Sequence, residues 1–278
     1  MFKVYDLIRA TEGDLVQGHP ETVLKGISID SRTLKQAEAF IAIKGNSFDG
    51  HDFIGEAIKK GAFCIIRQKG KYRPLPHKIS ILEVEDTQRA LAQIAAFNRQ
   101  RYGKVVIAVT GSNGKTTTKD MIAWVLSKRY NVLKNQGTQN NHIGLPLSLL
   151  GLNRTHDIAV VELGTNHFGE IRYLAQICKP NIGVITNIGP AHLEYLKNLE
   201  GVLEEKYSLI HTLEKPAIAI LNADDAMLKK RLSNRLGRCF DITFGIERPS
   251  DFFASHIGYQ RQHLEFLVNH RSYEHKKH

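Results

Sequence analysis

Val105-Val106-Ile107-Ala108-Val109-Thr110-Gly111-Ser112-Asn113-Gly114-Lys115-Thr116-Thr117 is the stretch on which the fold turns. A five-residue apolar run without alternation reads as a strand buried on both faces. It ends in a glycine-bearing turn, and a helix is expected at once, over about 116–129. Backbone N–H groups of such a turn, together with a helix N-terminus, converge on one point that suits a phosphate. Lys115 adds a point charge for the β/γ-phosphates of a nucleotide, and the Thr116 hydroxyl is placed to hold Mg²⁺. The full pattern GxxxxGK[ST] has Gly where this chain has Val109, so the match is to a shortened variant. Gly111, Ser112, Asn113, Gly114, Lys115, Thr116 and Thr117 are the candidate nucleotide-phosphate-binding residues. A phosphate loop alone leaves kinases, GTPases and ligases open.

The pattern of strand, turn and helix recurs downstream. Ile158–Val161 precedes Glu162-Leu163-Gly164 and a helix over about 169–178. Ile182–Ile185 precedes Thr186-Asn187-Ile188-Gly189, and Ala217–Leu221 precedes Asn222-Ala223-Asp224-Asp225. This alternation predicts an α/β fold with a mainly parallel sheet, whose ligands sit beyond the C-terminal strand ends. The helix carrying Met121, Trp124 and Val125 is expected to pack into the core. From about Phe240 the reading turns to short strands.

Upstream, the first eighty or so residues read as short strands with turns. Ile27–Asp30 alternates in period two, Phe40–Ile43 is an apolar run, and Phe53–Lys60 reads as a helix closed by Gly61. Strands follow at 63–66 and 79–84. A helix over 86–102, ended by Gly103, marks the expected boundary. The predicted organisation is a small N-terminal α/β domain over 1–85 and a central P-loop ATPase domain over 86–278.

Composition narrows the class. The chain has 278 residues, 42% hydrophobic and 24% charged, as ordinary globular proteins do. No apolar run reaches the roughly 18–20 residues of a membrane helix, and the acid in the N-terminal stretch argues against a signal peptide. A cytoplasmic protein with no membrane insertion is expected. Three cysteines without CxxC spacing (Cys64, Cys178 and Cys239) argue against a disulfide scaffold or structural zinc and read as small core residues. The net charge of +10 raises nucleic acid as a partner. Half of that excess falls in residues 229–278, however, and no basic run is interleaved with aromatics. A small anionic substrate explains the charge equally well, so no nucleic-acid partner is expected.

Taken together, Gly111–Thr118, Asn140-Asn141-His142-Ile143-Gly144-Leu145-Pro146, Glu162–His167, Thr186–Glu194 and Leu221–Asp225 resemble the Mur ligases. Asp30-Ser31-Arg32 and Asp49-Gly50-His51-Asp52-Phe53 are similar to that family's N-terminal uridine-nucleotide domain, which binds the UDP-sugar peptide. The likeness is greatest to those members that add D-alanyl-D-alanine to UDP-N-acetylmuramoyl-tripeptide, an ATP-dependent amide ligation in peptidoglycan precursor synthesis. Both substrates are small molecules. The family's C-terminal ligase domain has no counterpart in this chain, which reads as a fragment whose activity alone is in question. A P-loop small-molecule kinase is the competing enzyme reading, and a nucleotide- and UDP-sugar-binding fragment without turnover is the third.

The resemblance also implies roles. Glu162 would reach Mg²⁺; on the residues alone it is a strand-end acid paired with a lysine. His192, otherwise a turn residue, would offer an imidazole to a second Mg²⁺. Lys206, in Glu204-Glu205-Lys206-Tyr207, reads from sequence as a solvated helix residue, whereas the resembling lysine carries CO₂ as a carbamate that helps hold the metal. Small residues would be expected beside it, and the neighbouring acids depart from that. Lys115, Lys206 and His192 are thus the implied catalytic set. Asn222 would hydrogen-bond adenine, or form an Asx-turn or helix cap, and both roles are compatible. Asn141, Asn166 and His167 would lie near nucleotide, metal or sugar peptide. Ser31 and Arg32 would meet the uridine diphosphate, with Asp49 and His51 nearby.

Overall fold

In this computed structural model, which describes residues 1–45, 47–70, 76, 78–137, 139–232, 239–260 and 263–271, the chain forms two units. Met1–Gly103 with His142–Leu152 make the first, and Lys104–Asn141 with Asn153–His278 the second. The elements of the first half are β1 (Phe2–Lys3), α1 (Val4–Thr11), β2 (Asp14–Gln17), β3 (Val23–Leu24), β4 (Ile27–Ser28), β5 (Ala39–Ile41), α2 (Ile54–Lys59), β6 (Cys64–Gln68), β7 (Ser80–Val84) and α3 (Thr87–Tyr102). There follow β8 (Val105–Thr110), α4 (Lys115–Leu126), β9 (Val132–Lys134), α5 (Gly144–Leu150), β10 (Ile158–Glu162), α6 (Glu170–Cys178) and β11 (Ile182–Ile185). The last are α7 (Leu193–Leu196), α8 (Leu199–His211), β12 (Ile218–Asn222), α9 (Ala226–Leu232), β13 (Phe240–Gly245), β14 (Phe252–Gln260) and β15 (His263–His270).

The first unit is built on a five-stranded sheet in the order β2-β7-β6-β5-β4, parallel except for β2. The period-two alternation of β5 sends Ala39 and Ile41 to one core, with Leu7, Leu82 and Leu91, and Phe40 to the other, with Ile54 and Ala57. Helix α1, absent from the sequence reading, buries Val4 and Leu7 on the first of these cores. The sequence pattern placed a domain boundary before α3, but α3 lies in the first unit. Its Ala90, Leu91 and Ile94 join the first core, and the buried Asn98 amide donates to the carbonyls of Leu149 and Leu152 at 2.9 and 3.0 Å.

The second unit is an eight-stranded sheet, β15-β14-β13-β12-β11-β8-β10-β9, parallel except for the β14–β15 hairpin. The two strands of that hairpin, nine and eight residues long, exceed the short strands expected after Phe240. Strand β8 lies between β10 and β11: the chain leaves it for β9 on one side and, after β10, crosses to β11 on the other. That reversal opens a crevice at the C-terminal strand ends. The register aligns Val109 with Glu162 and Thr110 with Ile185, bringing the polar segments to one edge.

Helix α4 corrects an expectation. Met121, Trp124 and Val125 are 61, 63 and 60% exposed rather than packed in the core. The stripe facing the sheet is Lys119, Ile122, Ala123 and Leu126, spaced three and four apart, against Ile107, Val109 and Val160. Burying each large aliphatic side chain there is worth roughly 1.5–3 kcal/mol, which fixes the rotation of the helix and turns Trp124 outward. The Lys128 ammonium sits 4.1 Å from the Trp124 ring centre.

Candidate active site

The phosphate loop is shaped by backbone geometry. Gly111 adopts φ +152°, and a Cβ there would collide with the Thr186 hydroxyl. Gly114, at φ +77°, caps α4 in the left-handed region that glycine enters without strain. The loop is stapled to the segment after β11. Ser112 N–H donates to the Asn187 carbonyl at 3.0 Å, Asn113 N–H to Asn187 Oδ1 at 2.9 Å, and Thr186 Oγ1 to the Asn113 carbonyl at 2.6 Å. Ser112 Oγ both donates to the Gly189 carbonyl and accepts from Gly189 N–H, each at 2.9 Å. Lys115 folds back so that Nζ donates to the carbonyls of Gly111 and Ser112 at 3.0 and 3.1 Å.

Glu162 ends β10 with its side chain buried among hydrogen-bond donors. Oε2 accepts from the Thr116 hydroxyl at 2.6 Å and Oε1 from the Asn140 amide at 2.7 Å. It therefore faces the start of α4 rather than pairing with a lysine. Asn222 donates to the Thr186 carbonyl at 3.0 Å and accepts from Asp224 N–H at 2.9 Å, the Asx-turn that its sequence allowed. It also borders a cavity of ≈ 270 Å³ walled by Phe244, Ile246, Phe252, Phe253 and Val268. Asp225 caps α9 and accepts from Ile188 N–H at 2.7 Å, so each strand-end segment holds the next.

Lys206 is only 2% exposed, not a solvated helix residue. Its ammonium makes no hydrogen bond or ion pair among the described residues. Burial first, and the charge of Lys115 second, lower its pKa from 10.5 to about 8, against a smaller opposing pull from Glu205. Glu205, the unexpected acid beside it, is itself buried and caps the loop before α6. It accepts from Gly169 and Ile171 N–H at 2.7 and 2.8 Å and from the Thr165 hydroxyl at 3.2 Å. Asn166 and His167, exposed on that loop, donate their backbone N–H groups to Glu170 at 2.6 and 3.1 Å. The His167 ring packs 4.2 Å from Tyr195 of α7. His192 is exposed at the start of α7, with φ +51°, and Thr117 is exposed on α4. Asn141 is the last exposed residue before the chain passes into the first unit.

In the first unit Ser31 and Arg32 line a cavity of ≈ 530 Å³ together with Phe40, Phe48 and Phe53. Arg32 is ion-paired with Asp30 at 2.7 Å, which pulls the Asp30 pKa down to about 2. Asp49 and His51 lie outside that lining. His51 Nδ1 is 2.6 Å from Asp49 Oδ1, and its Nε2 accepts from Gln68 N–H at 3.1 Å, so the imidazole ties residues 49–51 to β6. The staples through Thr186, Asn187, Ser112 and Glu205 escaped the sequence reading. Their signal, polar residues next to strand ends, was present but pointed to ligand contacts rather than to one another.

Residues 109–278 match the Mur ligase middle domain, and residues 23–99 match a second model described as Mur ligase family, catalytic domain. The chain belongs to the Mur ligase family. Mur ligases similar to it include the UDP-N-acetylmuramoyl-tripeptide--D-alanyl-D-alanine ligases of Bacillus subtilis, 37% identical over 90% of this chain and 53% of that protein, and of Synechocystis, 41% identical over 81% and 49%. The crystal structure of MurF from Acinetobacter baumannii superposes with a TM-score of 0.88 at 34% identity, over 97% of this chain and 58% of that one. MurF from Thermotoga maritima in complex with ADP gives 0.77 at 31% identity, over 87% and 57%. The chain thus spans about half the length of the relatives it matches.

Proposed function

We propose that this chain forms the nucleotide- and UDP-sugar-peptide-binding part of an ATP-dependent amide ligase that adds D-alanyl-D-alanine to UDP-N-acetylmuramoyl-tripeptide in the cytoplasm. The observation that carries the reading is Lys206, a buried cation with no hydrogen-bond or ion-pair partner among the described residues and within electrostatic reach of Lys115 in the phosphate loop. A site with two positive charges favours anions, and ligation begins by bringing two together, the substrate carboxylate and the ATP γ-phosphate. The carboxylate oxygen attacks phosphorus and ADP leaves. The D-alanyl-D-alanine amine then attacks the acyl phosphate carbon and phosphate leaves.

In this reading the loop N–H groups of Gly111–Thr117 cradle the β/γ-phosphates, and Lys115 exchanges its two carbonyl partners for phosphate oxygens. Thr116 and Glu162 offer adjacent hard oxygens, which fit Mg²⁺, an ion that keeps several waters and completes its shell with phosphate. When bound, Mg²⁺ supplies charge neutralisation at the phosphates.

His192 is the further candidate ligand, with Lys206 once modified. A lysine with a lowered pKa holds enough neutral amine for its nitrogen to add to the carbon of CO₂ and lose a proton to solvent, leaving a carbamate anion. Asn222 and the apolar cavity beside it suit adenine. Ser31 and Arg32 suit the uridine diphosphate, Arg32 trading Asp30 for diphosphate oxygens. Asn141, Asn166 and His167 are the remaining contacts to the sugar peptide, and Asp49 and His51 of the first unit stand near the uridine diphosphate. No described helix is long and apolar enough to cross a membrane.

Phosphate release from ATP and Mg²⁺, measured with and without each acceptor substrate, tests the reading. Release that needs both substrates supports ligation. ATP binding that Lys115→Ala abolishes, without release, supports a binding part that needs further chain. Absence of ATP binding overturns the phosphate-loop reading.

A further inference from the structure

The second unit buries a cation for which the reaction above has no use. Lys119 lies three residues beyond Thr116 on the inner stripe of α4, is 1% exposed, and donates from Nζ to the Asn135 carbonyl at 2.8 Å. Its acidic neighbour Asp120, 3.5 Å away, is held outward by Lys134 at 2.6 Å. A buried ammonium is costly, and this one is satisfied chiefly by a single main-chain oxygen.

That oxygen belongs to a residue occupied with Glu162. Strand β9 pairs with β10 only as far as Lys134 opposite Val160, so the Glu162 backbone extends beyond the ladder on that side. The fully buried Asn135 side chain stands in for the missing strand. Its Oδ1 accepts from Glu162 N–H at 2.9 Å, and its Nδ2 donates to the Glu162 carbonyl at 3.4 Å and the Gln139 carbonyl at 2.8 Å. The Glu162 carboxylate returns to α4 through Thr116 at 2.6 Å. The bonds thus close a ring through α4, the loop after β9, and the end of β10.

We propose that Lys119 and Asn135 are positioning residues that fix the Glu162 carboxylate against Thr116, and so set how tightly a divalent cation is held with the nucleotide. The proposal rests on the reading that Thr116 and Glu162 hold that cation. Lys119 ties the strand surrogate to the helix bearing Thr116. Without it, Asn135 and the Glu162 backbone keep their mutual bonds but lose their fixed distance from α4.

Lys119→Met keeps length and burial while removing the donor. A fluorescent ATP analogue is titrated into the full chain, first in EDTA and then at fixed nucleotide with rising Mg²⁺, and Tm is followed in parallel. Affinity in EDTA is expected to stay within about twofold, because the loop N–H groups and Lys115 are untouched, while the Mg²⁺ half-saturation rises roughly 10-fold or more, the scale for outer partners of metal ligands. An unchanged Mg²⁺ half-saturation overturns the proposal, as does equal loss in EDTA and in Mg²⁺, which marks a merely structural role. Should Lys119→Met not fold, Asn135→Ser carries the same expectation and the same refutations. Lys115→Ala is the parallel control. If it binds the analogue in EDTA as the unaltered chain does, the phosphate-loop reading fails independently of the Lys119 result.

Discussion

Replacing Lys206 by methionine is expected to stabilise the protein while removing the group on which its proposed chemistry depends. In CO₂-free buffer the buried amine titrates near pH 8 in the folded chain against 10.5 for an ordinary lysine. The unfolded chain therefore binds more protons between these values, and stability rises with pH across that window. Below pH 8 both states are charged and the folded state carries the full penalty; above 10.5 both are neutral and it disappears. At 1.36 kcal/mol per pKa unit, the shift corresponds to about 3 kcal/mol at pH 7, about 2 at pH 9 and under about 0.5 at pH 10.5. Methionine is neutral throughout, so Lys206→Met removes the penalty at pH 7. For a chain of this size that raises Tm by roughly 6–12 °C. Urea unfolding of both proteins at pH 7, 9 and 10.5 checks this. The reasoning is refuted if the variant is less stable at pH 7, or if its advantage does not shrink as pH rises.

Three further outcomes follow from the same contacts. Adding bicarbonate at pH 8 should raise the Tm of the unaltered protein but not of Lys206→Met, because a carbamate anion turns the repulsion between Lys206 and Lys115 into attraction; equal shifts in both would argue against modification at this lysine. Glu205→Ala leaves the N–H groups of Gly169 and Ile171 unpaired, and unfolding titrations should show a loss of about 2–4 kcal/mol, the scale for hydrogen bonds to a buried charge. Asn187→Ala unfastens one side of the phosphate loop and should weaken ATP binding about 10-fold in calorimetry, while Tm falls by only a few degrees for about 1 kcal/mol lost.

The sequence made the phosphate loop legible because its information is local: an apolar strand, a turn and a helix start within thirteen residues. The other strand ends were legible for the same reason, as was the parallel sheet. Local pattern failed where a second segment decides the outcome. Helix α1 is eight residues long and follows an extended Lys3, so little at its start announced a helix. Trp124 was assigned to the core for its chemistry, whereas the spacing of Lys119, Ile122, Ala123 and Leu126 decided the buried face. Lys206 appeared solvated because acids flank it, yet Glu205 is spent on α6, thirty-four residues upstream of it in the case of Ile171. Asn222 allowed two readings, and the structure satisfies the Asx-turn while leaving its edge on an apolar cavity.

The division of the first unit into two stretches of chain bears on how the protein is made. Helix α5 supplies Leu147 and Leu150 to the core formed by α1 and α3, and Leu149 and Leu152 supply carbonyls to Asn98, but all four emerge from the ribosome only after the phosphate loop and its helix. At roughly 5–20 residues per second, synthesis from Gly103 to Leu152 takes between about 2 and 10 s. During that interval the nascent first unit presents the apolar flank of α3 without its cover. A chain truncated at residue 110 and released should therefore be readily cleaved by protease within α3, and one extending past 152 should resist.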